Sequence, residues 1–201
     1  MTFSDPGYPF NSVRKVWLTF DDGPHPEYTD RVLDVLKSYG IKATFFVLGA
    51  SVARYGTAIL KRMETEGHSI GNHAYSHTDL TSLTESEVRD EIKSTEELIG
   101  HLVNAEKVFR PPYGATSRMV DGVVRELNYR KVLWNVDTRD WDPAFQPNHW
   151  VERALYPLRR RKRAVVIAHD IHKTTADHIA ELIERIGPAI FKRCSSRKHA
   201  S

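Results

Sequence analysis

Apolar residues recur along this chain in two rhythms that take turns. The run Val16-Trp17-Leu18 reads as a buried strand, and Gly23-Pro24 marks where no strand continues. Val32, Leu33, Val35 and Leu36 then share one face of a helix expected over 28–39, with Gly40 as its stop. Residues 43–47 read as a second strand, apolar enough to be covered on both faces. A helix capped by Ser51 and carrying Val52, Ile59, Leu60 and Met63 is expected to run to Gly67, followed by a short third strand at 68–71. Thr84-Glu85-Ser86-Glu87 has the spacing of a capping box and opens a helix bearing Val88, Ile92, Thr95 and Ile99. Strands expected at 107–109, 130–135 and 164–168 alternate with helices at 117–128, 148–158 and 175–186. A final weak strand is expected within 189–192.

Strand and helix repeated with short connections imply an α/β fold with a parallel sheet, either closed as a barrel or open and doubly wound. No Gly-x-Gly-x-x-Gly follows the first strand, so a dinucleotide fold gets no support. The 201 residues suit one domain with a sizeable core, and no repeat or linker divides them. Residues 1–15 read as an N-terminal extension, 16–191 as the domain, and 192–201 as a basic tail.

Composition changes this picture little. Charged residues make up 27% and the net charge is +3, ordinary for a globular chain. The basic runs at 159–163 and in the tail read as a solvated helix end and a frayed terminus, and no nucleic-acid partner is expected from them. The single cysteine, Cys194, excludes an internal disulfide. No apolar run reaches the ~20 residues of a membrane span, and the first residues lack the basic and apolar regions of a signal peptide. The chain as given is therefore expected in the cytoplasm, or outside it if a leader was trimmed.

The informative residues sit just after strands. Asp21 and Asp22 follow the first, His73 and His77 the third, Arg110 the fourth, Asp137 and Asp140 the fifth, and His169 the sixth. In a parallel β/α fold all these ends share one rim. On a helical turn, His73 and His77 would present both imidazoles on one face. Two histidines and one carboxylate with open positions form a catalytic divalent site. Consecutive side chains on a strand point opposite ways, so one of the two aspartates can bind metal while the other faces substrate as a base. Trp17, Phe109 and Trp134 read as core, Trp150 and Tyr75 as either core or sugar platform.

Five stretches in this order resemble a family: Thr19-Phe20-Asp21-Asp22-Gly23-Pro24, His73-x-x-x-His77, Arg110-Pro111-Pro112-Tyr113-Gly114, Asp137-x-x-Asp140-Trp141 and Ile167-Ala168-His169-Asp170. They are similar to the motifs of the polysaccharide deacetylases, the NodB-homology proteins of carbohydrate esterase family 4. The resemblance implies a distorted (β/α) barrel of about seven strands rather than eight. It implies one divalent metal per chain, zinc first with cobalt or nickel as alternatives, held by Asp22, His73 and His77. Asp21 would be the general base on the water that the metal holds, oriented by Arg110. The Tyr113 N–H would stabilise the oxyanion. His169, its charge set by Asp140, would be the general acid, and Trp141 and Ile167 would line the acetyl pocket.

The expected activity is removal of N-acetyl groups from N-acetylglucosamine-containing chitooligosaccharide or peptidoglycan, by a monomer. An O-acetyl ester of xylan or a small cyclic amide as substrate, and a non-catalytic carbohydrate-binding role, stay open as alternatives. The family's last motif carries leucines before its histidine, where this chain has Ile167 and Ala168. Ala168 is expected to point away from the pocket. The short stretch after His172 leaves closure of the barrel as the open structural question.

Overall fold

Alternate residues of the first strand have opposite fates, and this sets the layering of the molecule. In the computed structural model, which describes residues 15–102 and 106–191, β1 (Lys15–Asp21) buries Val16, Leu18 and Phe20 against helices. By the two-residue period, Trp17, Thr19 and Asp21 face the other side. The same division continues in β2 (Thr44–Val47) and β7 (Arg163–His169). There Phe45, Val47, Ala164, Val166 and Ala168 join the helix-side core. Thr44, Phe46, Val165, Ile167 and His169 line the inside of the curve. Ala168 thus points away from the inner face, as expected.

The remaining strands are β3 (Ser69–Asn72), β4 (Val108–Phe109), β5 (Arg130–Lys131) and β6 (Val136–Asp137). All seven are parallel, in the order β5-β4-β3-β2-β1-β7-β6, and the sheet curls into a half-barrel. Helices α1 (Tyr28–Ser38), α2 (Gly49–Tyr55), α3 (Ala58–Thr65), α4 (Glu85–Ile99), α5 (Arg118–Glu126), α6 (His149–Leu158) and α7 (Lys173–Ile186) cover its outside. Thr84 and Glu87 form the capping box of α4, and Val88, Ile92, Thr95 and Ile99 are its buried face.

Three expectations need correction. The helix begun by Ser51 is two helices, broken where Gly56 adopts φ 81, and Ser51 lies within α2 rather than at its cap. Its hydroxyl donates instead to the Asp22 carbonyl at 3.2 Å. Of the strand expected over 130–135 only β5 forms, and β6 follows just beyond it at the opposite edge of the sheet. Residues 132–135 carry the chain between those edges. Val132 N–H donates to the Phe109 carbonyl at 2.8 Å, and Asn135 N–H to the Val165 carbonyl at 3.1 Å. The open side is therefore spanned by the chain itself. Finally, the weak strand at 189–192 is a 3-10 turn, Pro188–Ile190, followed by a single parallel bridge from Phe191 to Val16. The expectations for residues 1–14, for the tail at 192–201 and for Cys194 lie outside the described residues.

Small residues fit where the inner face is crowded. A methyl on Gly71 would lie 2.6 Å from the Phe46 ring, and Phe46 stacks under the Arg110 guanidinium at 4.1 Å. Gly71→Ala is expected to destabilise the fold by about 1–3 kcal/mol through overpacking. Urea unfolding checks it, with an unchanged midpoint removing the crowding argument.

Candidate active site

The rim at the carboxyl ends of the strands is built on strained backbone. Six non-glycine residues have positive φ among the described residues: Asp22, Ala74, His77, Tyr113, Asn128 and Arg139. Five of the six fall in or beside the stretches that carry the chemistry. An L-residue in this region costs roughly 1–2 kcal/mol, so the surroundings must hold it there.

Asp22, at φ 75, turns away from the strand direction of Asp21. The two carboxylates part because of this left-handed residue, not because of strand alternation as expected. Asp22 Oδ1 lies 3.3 Å from His73 Nε2 and 3.2 Å from His77 Nε2. The two histidines do not sit on a helical turn. They occupy a loop after β3 with Ala74 at φ 65 and His77 at φ 62. Glu91 of α4 holds that loop, its carboxylate accepting the N–H groups of Tyr75 and Ser76 at 2.9 Å each and the Ser76 hydroxyl at 2.7 Å.

His73 Nδ1 is 2.7 Å from the Arg110 carbonyl, which can only accept, so Nδ1 carries the proton and Nε2 is the nitrogen left for a metal to take. Asp22 Oδ1 is buried and receives no hydrogen bond. Ligand atoms of Asp22, His73 and His77 all lie within 4.8 Å of one another. An orphaned carboxylate oxygen between two imidazole nitrogens is a donor set that fits a divalent cation such as zinc, cobalt or nickel. Burial pushes the Asp22 carboxyl up, but the adjacent His73 imidazole and the charges of His169 and His77 outweigh it and hold it at about 2. Burial also disfavours the His73 cation, and the charges of Asp21 and Asp22 reverse that and raise its pKa. The His77 pKa is lowered, chiefly by burial, which keeps its imidazole neutral and available.

Asp21 is buried and paired. Its Oδ1 accepts from Arg110 Nη1 at 2.6 Å, and its Oδ2 lies 3.7 Å from His73 Nε2. Arg110 is wholly buried, with Nε donating to the Val132 carbonyl at 3.0 Å and Nη1 also to Thr19 Oγ1 at 2.9 Å. Phe46 lies on the guanidinium at 4.1 Å and Trp134 at 5.5 Å. Trp134 is thus half-buried beside the site, not core, whereas Trp150 is core. Trp17 is likewise half-buried, Phe109 is buried as expected, and Tyr75 is half-buried with its ring against Gly49.

On the neighbouring strand, His169 is the register partner of Asp21. Its Nδ1 and backbone N–H both bond Asp140, at 2.7 Å each. Asp140 is fully buried and also accepts from Thr138 at 3.0 Å and from Thr175 at 2.5 Å. Burial opposes the imidazolium, but the bond to Asp140 and the charges of Asp140, Asp22 and Asp21 raise His169 to about 9. With Nδ1–H tied to a carboxylate, Nε2 is the nitrogen left to exchange a proton.

Tyr113 stands at φ 59, its ring centre 4.6 Å from that of His77 in an edge-on contact, and its backbone N–H donates to no group among the described residues. Trp141 is 47% exposed at the rim, and Ile167 is buried on the inner face next to Thr19. Asp137 ends β6 and accepts the Arg139 N–H at 2.9 Å. Glu91, Thr138 and Thr175 escaped the sequence reading, and Asp170 has no role in it beyond closing the last motif. Asp170 is fully buried beneath Gly23, takes the Thr29 hydroxyl at 2.5 Å, and is pushed up to about 7 chiefly by burial.

Residues 11–132 match the family model described as polysaccharide deacetylase. The chain belongs to the polysaccharide deacetylase family. It is 46% identical over 134 residues to a peptidoglycan-N-acetylglucosamine deacetylase of Bacillus cereus, covering 66% of this chain and 48% of that protein. It is 38% identical over 129 residues to a chitooligosaccharide deacetylase of Azorhizobium caulinodans, covering 63% of this chain and 61% of the relative. A family 4 carbohydrate esterase from Streptomyces lividans, solved with acetate, superposes with a TM-score of 0.79 at 28% identity, covering 89% of this chain and 91% of that one. The seven-stranded half-barrel with its outer helices is this family's distorted (β/α) barrel.

Two measurements test the electrostatics of this family member. Asp22→Asn and His77→Ala should each lower Zn²⁺ affinity roughly a hundredfold or more, since removing even a residue that supports a ligand costs about 10–100-fold. A stoichiometric ion after dialysis of either variant would move the ligand assignment elsewhere. In the metal-free protein, the His169 imidazole should stay cationic as pH rises and lose its proton only near 9. Asp140→Asn should bring that transition down toward or below the ordinary ~6.5. Ring-proton NMR follows both, and an unmoved titration would exclude Asp140 as the source.

Proposed function

We propose that this chain is a metal-dependent hydrolase that removes N-acetyl groups from N-acetylglucosamine-containing glycans of the peptidoglycan or chitooligosaccharide type. One observation carries the reading: Asp21 and His169, side by side on neighbouring strands, are each backed by a dedicated partner of opposite charge and border the Asp22-His73-His77 cluster.

The ion, zinc as the first choice, would be held by Asp22, His73 and His77, and when bound it would polarise a carbonyl and acidify water. Asp21 keeps one oxygen on Arg110 and offers the other to take the proton of the attacking water. Arg110 fixes that carboxylate so that no reorientation is needed during reaction. The Tyr113 N–H, without another acceptor among the described residues, would donate to the oxyanion that develops on the amide carbonyl. His169 carries its proton on Nε2 to the departing nitrogen, with Asp140 holding Nδ1–H and stabilising the cation. An amine leaves poorly unprotonated, so an acid that remains charged at neutral pH suits an amide. Trp141 and Ile167 are apolar surfaces suited to exclude water from around an acetyl methyl.

Free acetate released from N-acetylglucosamine oligomers, with and without chelator, tests the reading. Activity should vanish with chelator and return with Zn²⁺ or Co²⁺. Asp21→Asn should retain the ion while turnover drops by about 10²–10⁴-fold, the usual worth of a general base. Full turnover in that variant would assign the base elsewhere. Acetate from O-acetylated xylan but not from the N-acetylated oligomers would favour the ester reading.

A further inference from the structure

A cleft of about 550 Å³ opens between the turn Pro143–Phe145 and helix α6, lined by residues including Phe145, His149, Arg153, Tyr156 and Arg159. It lies outside the cluster described above but is physically joined to it. The Arg139 guanidinium stacks on Trp141 at 5.4 Å and on Phe145 at 5.2 Å, and Arg153 lies over Phe145 at 5.0 Å. Trp141, Arg139, Phe145 and Arg153 thus form a continuous ladder of alternating rings and guanidinium groups from the rim into the cleft.

The cleft has the sign of an anion site. Arg153 makes no ion pair among the described residues, and its Nε is buried with no hydrogen-bond partner. The one carboxylate in the wall, Glu152, is already occupied by Arg185 Nη1 at 2.5 Å. Arg139, by contrast, is neutralised by Asp142 at 2.5 Å, so the ladder's uncompensated charge sits at its far end, inside the cleft. Tyr156 is 64% exposed and gives the cleft an aromatic wall with a polar tip, with Arg160 against its ring at 5.2 Å. A planar donor fork next to an exposed aromatic ring suits a carboxylate carried on a sugar. A volume of this size is ordinary for a small-molecule or monosaccharide-sized site.

We propose that this cleft is a second carbohydrate subsite that takes a carboxylate-bearing sugar of the same glycan strand whose N-acetyl group reaches the Asp21–His169 rim. The proposal deepens, and rests on, the glycan reading above. It makes acidic glycan the preferred substrate over neutral oligomer of equal length.

The probe is a tetrasaccharide of alternating N-acetylglucosamine and N-acetylmuramic acid, compared with the same molecule methyl-esterified on its carboxylates. Steady-state acetate release should show KM for the acidic probe rising roughly tenfold in Arg153→Gln, with kcat within about twofold, and no change on the ester, the loss expected for one charge-assisted contact. Tyr156→Ala, an exposed change that spares the core, should raise KM on both probes. Unchanged KM for the acidic probe in Arg153→Gln, or equal losses on acid and ester, would overturn the proposal.

Binding separates this from the hydrolase reading. The enzymatically irrelevant, fully de-N-acetylated acidic tetrasaccharide, re-acylated with a non-hydrolysable N-methylsulfonyl group, should shift the NMR signals of Phe145 and Tyr156 in the wild-type protein. If no acetate is released but these signals still shift, the hydrolase reading fails and the subsite stands. If acetate is released and the signals do not move, the reverse holds. A DNA oligonucleotide of equal charge that shifts them more strongly than the saccharide would overturn the carbohydrate assignment.

Discussion

A guanidinium with no exposure to water is the constraint around which the rest of the molecule is arranged. Burying the Arg110 charge is costly unless it is paired and its donors are met, and removing one partner of such a pair typically destabilises strongly. Asp21 supplies the opposite charge at 2.6 Å, and the Val132 carbonyl and Thr19 hydroxyl take further donors, while Nη2 has no hydrogen-bond partner among the described residues. Phe46 and Trp134 stack on the guanidinium. The partners come from three places, β1, β2 and the crossing segment. The pair therefore ties β1, β2 and residues 132–135 into one arrangement, and Gly71 is small because Phe46 must lie flat there.

The same constraint explains the division of labour at the rim. Asp21, held by Arg110, and His169, held by Asp140, are register partners on adjacent parallel strands. Two titratable groups placed side by side each have a partner of opposite charge of their own, which is the arrangement acid–base chemistry requires. The backbone contributes as much as the side chains. Left-handed residues at Asp22, Ala74, His77 and Tyr113 lie in or beside the Asp22-His73-His77 cluster, and such conformations persist only where packing over-determines them. Glu91 is one source of that control, since it fastens the loop between the two histidines from a helix 15 residues farther along the chain.

Membership of the polysaccharide deacetylase family accounts for the rim and the half-barrel. It does not by itself account for the row of rings and guanidinium groups that leads from Trp141 to Arg153. Arg139 is central to that row because its left-handed backbone, pinned by Asp137 and Asp142, projects the side chain along the rim.

The alternation of strands and helices, their parallel order and the residues that gather at strand ends were all legible in the sequence. Periodicity and capping are local properties, and the motifs keep their order along the chain. The Thr84–Glu87 capping box is the clearest case, since both of its bonds lie within four residues. What tertiary structure decided is everything that depends on partners distant in the chain. The stretch 130–135 could not show that Val132 would pair with Phe109 and Asn135 with Val165, so that the chain crosses there from one edge of the sheet to the other. Two histidines four apart could not show whether they lay on a helix or on a loop clamped by Glu91. Neighbouring aspartates could not show that one would take a left-handed turn. Local sequence sets the conformations a segment prefers, while long-range packing and the pairing of buried charges choose among them, and at this rim they overrule local preference at five residues.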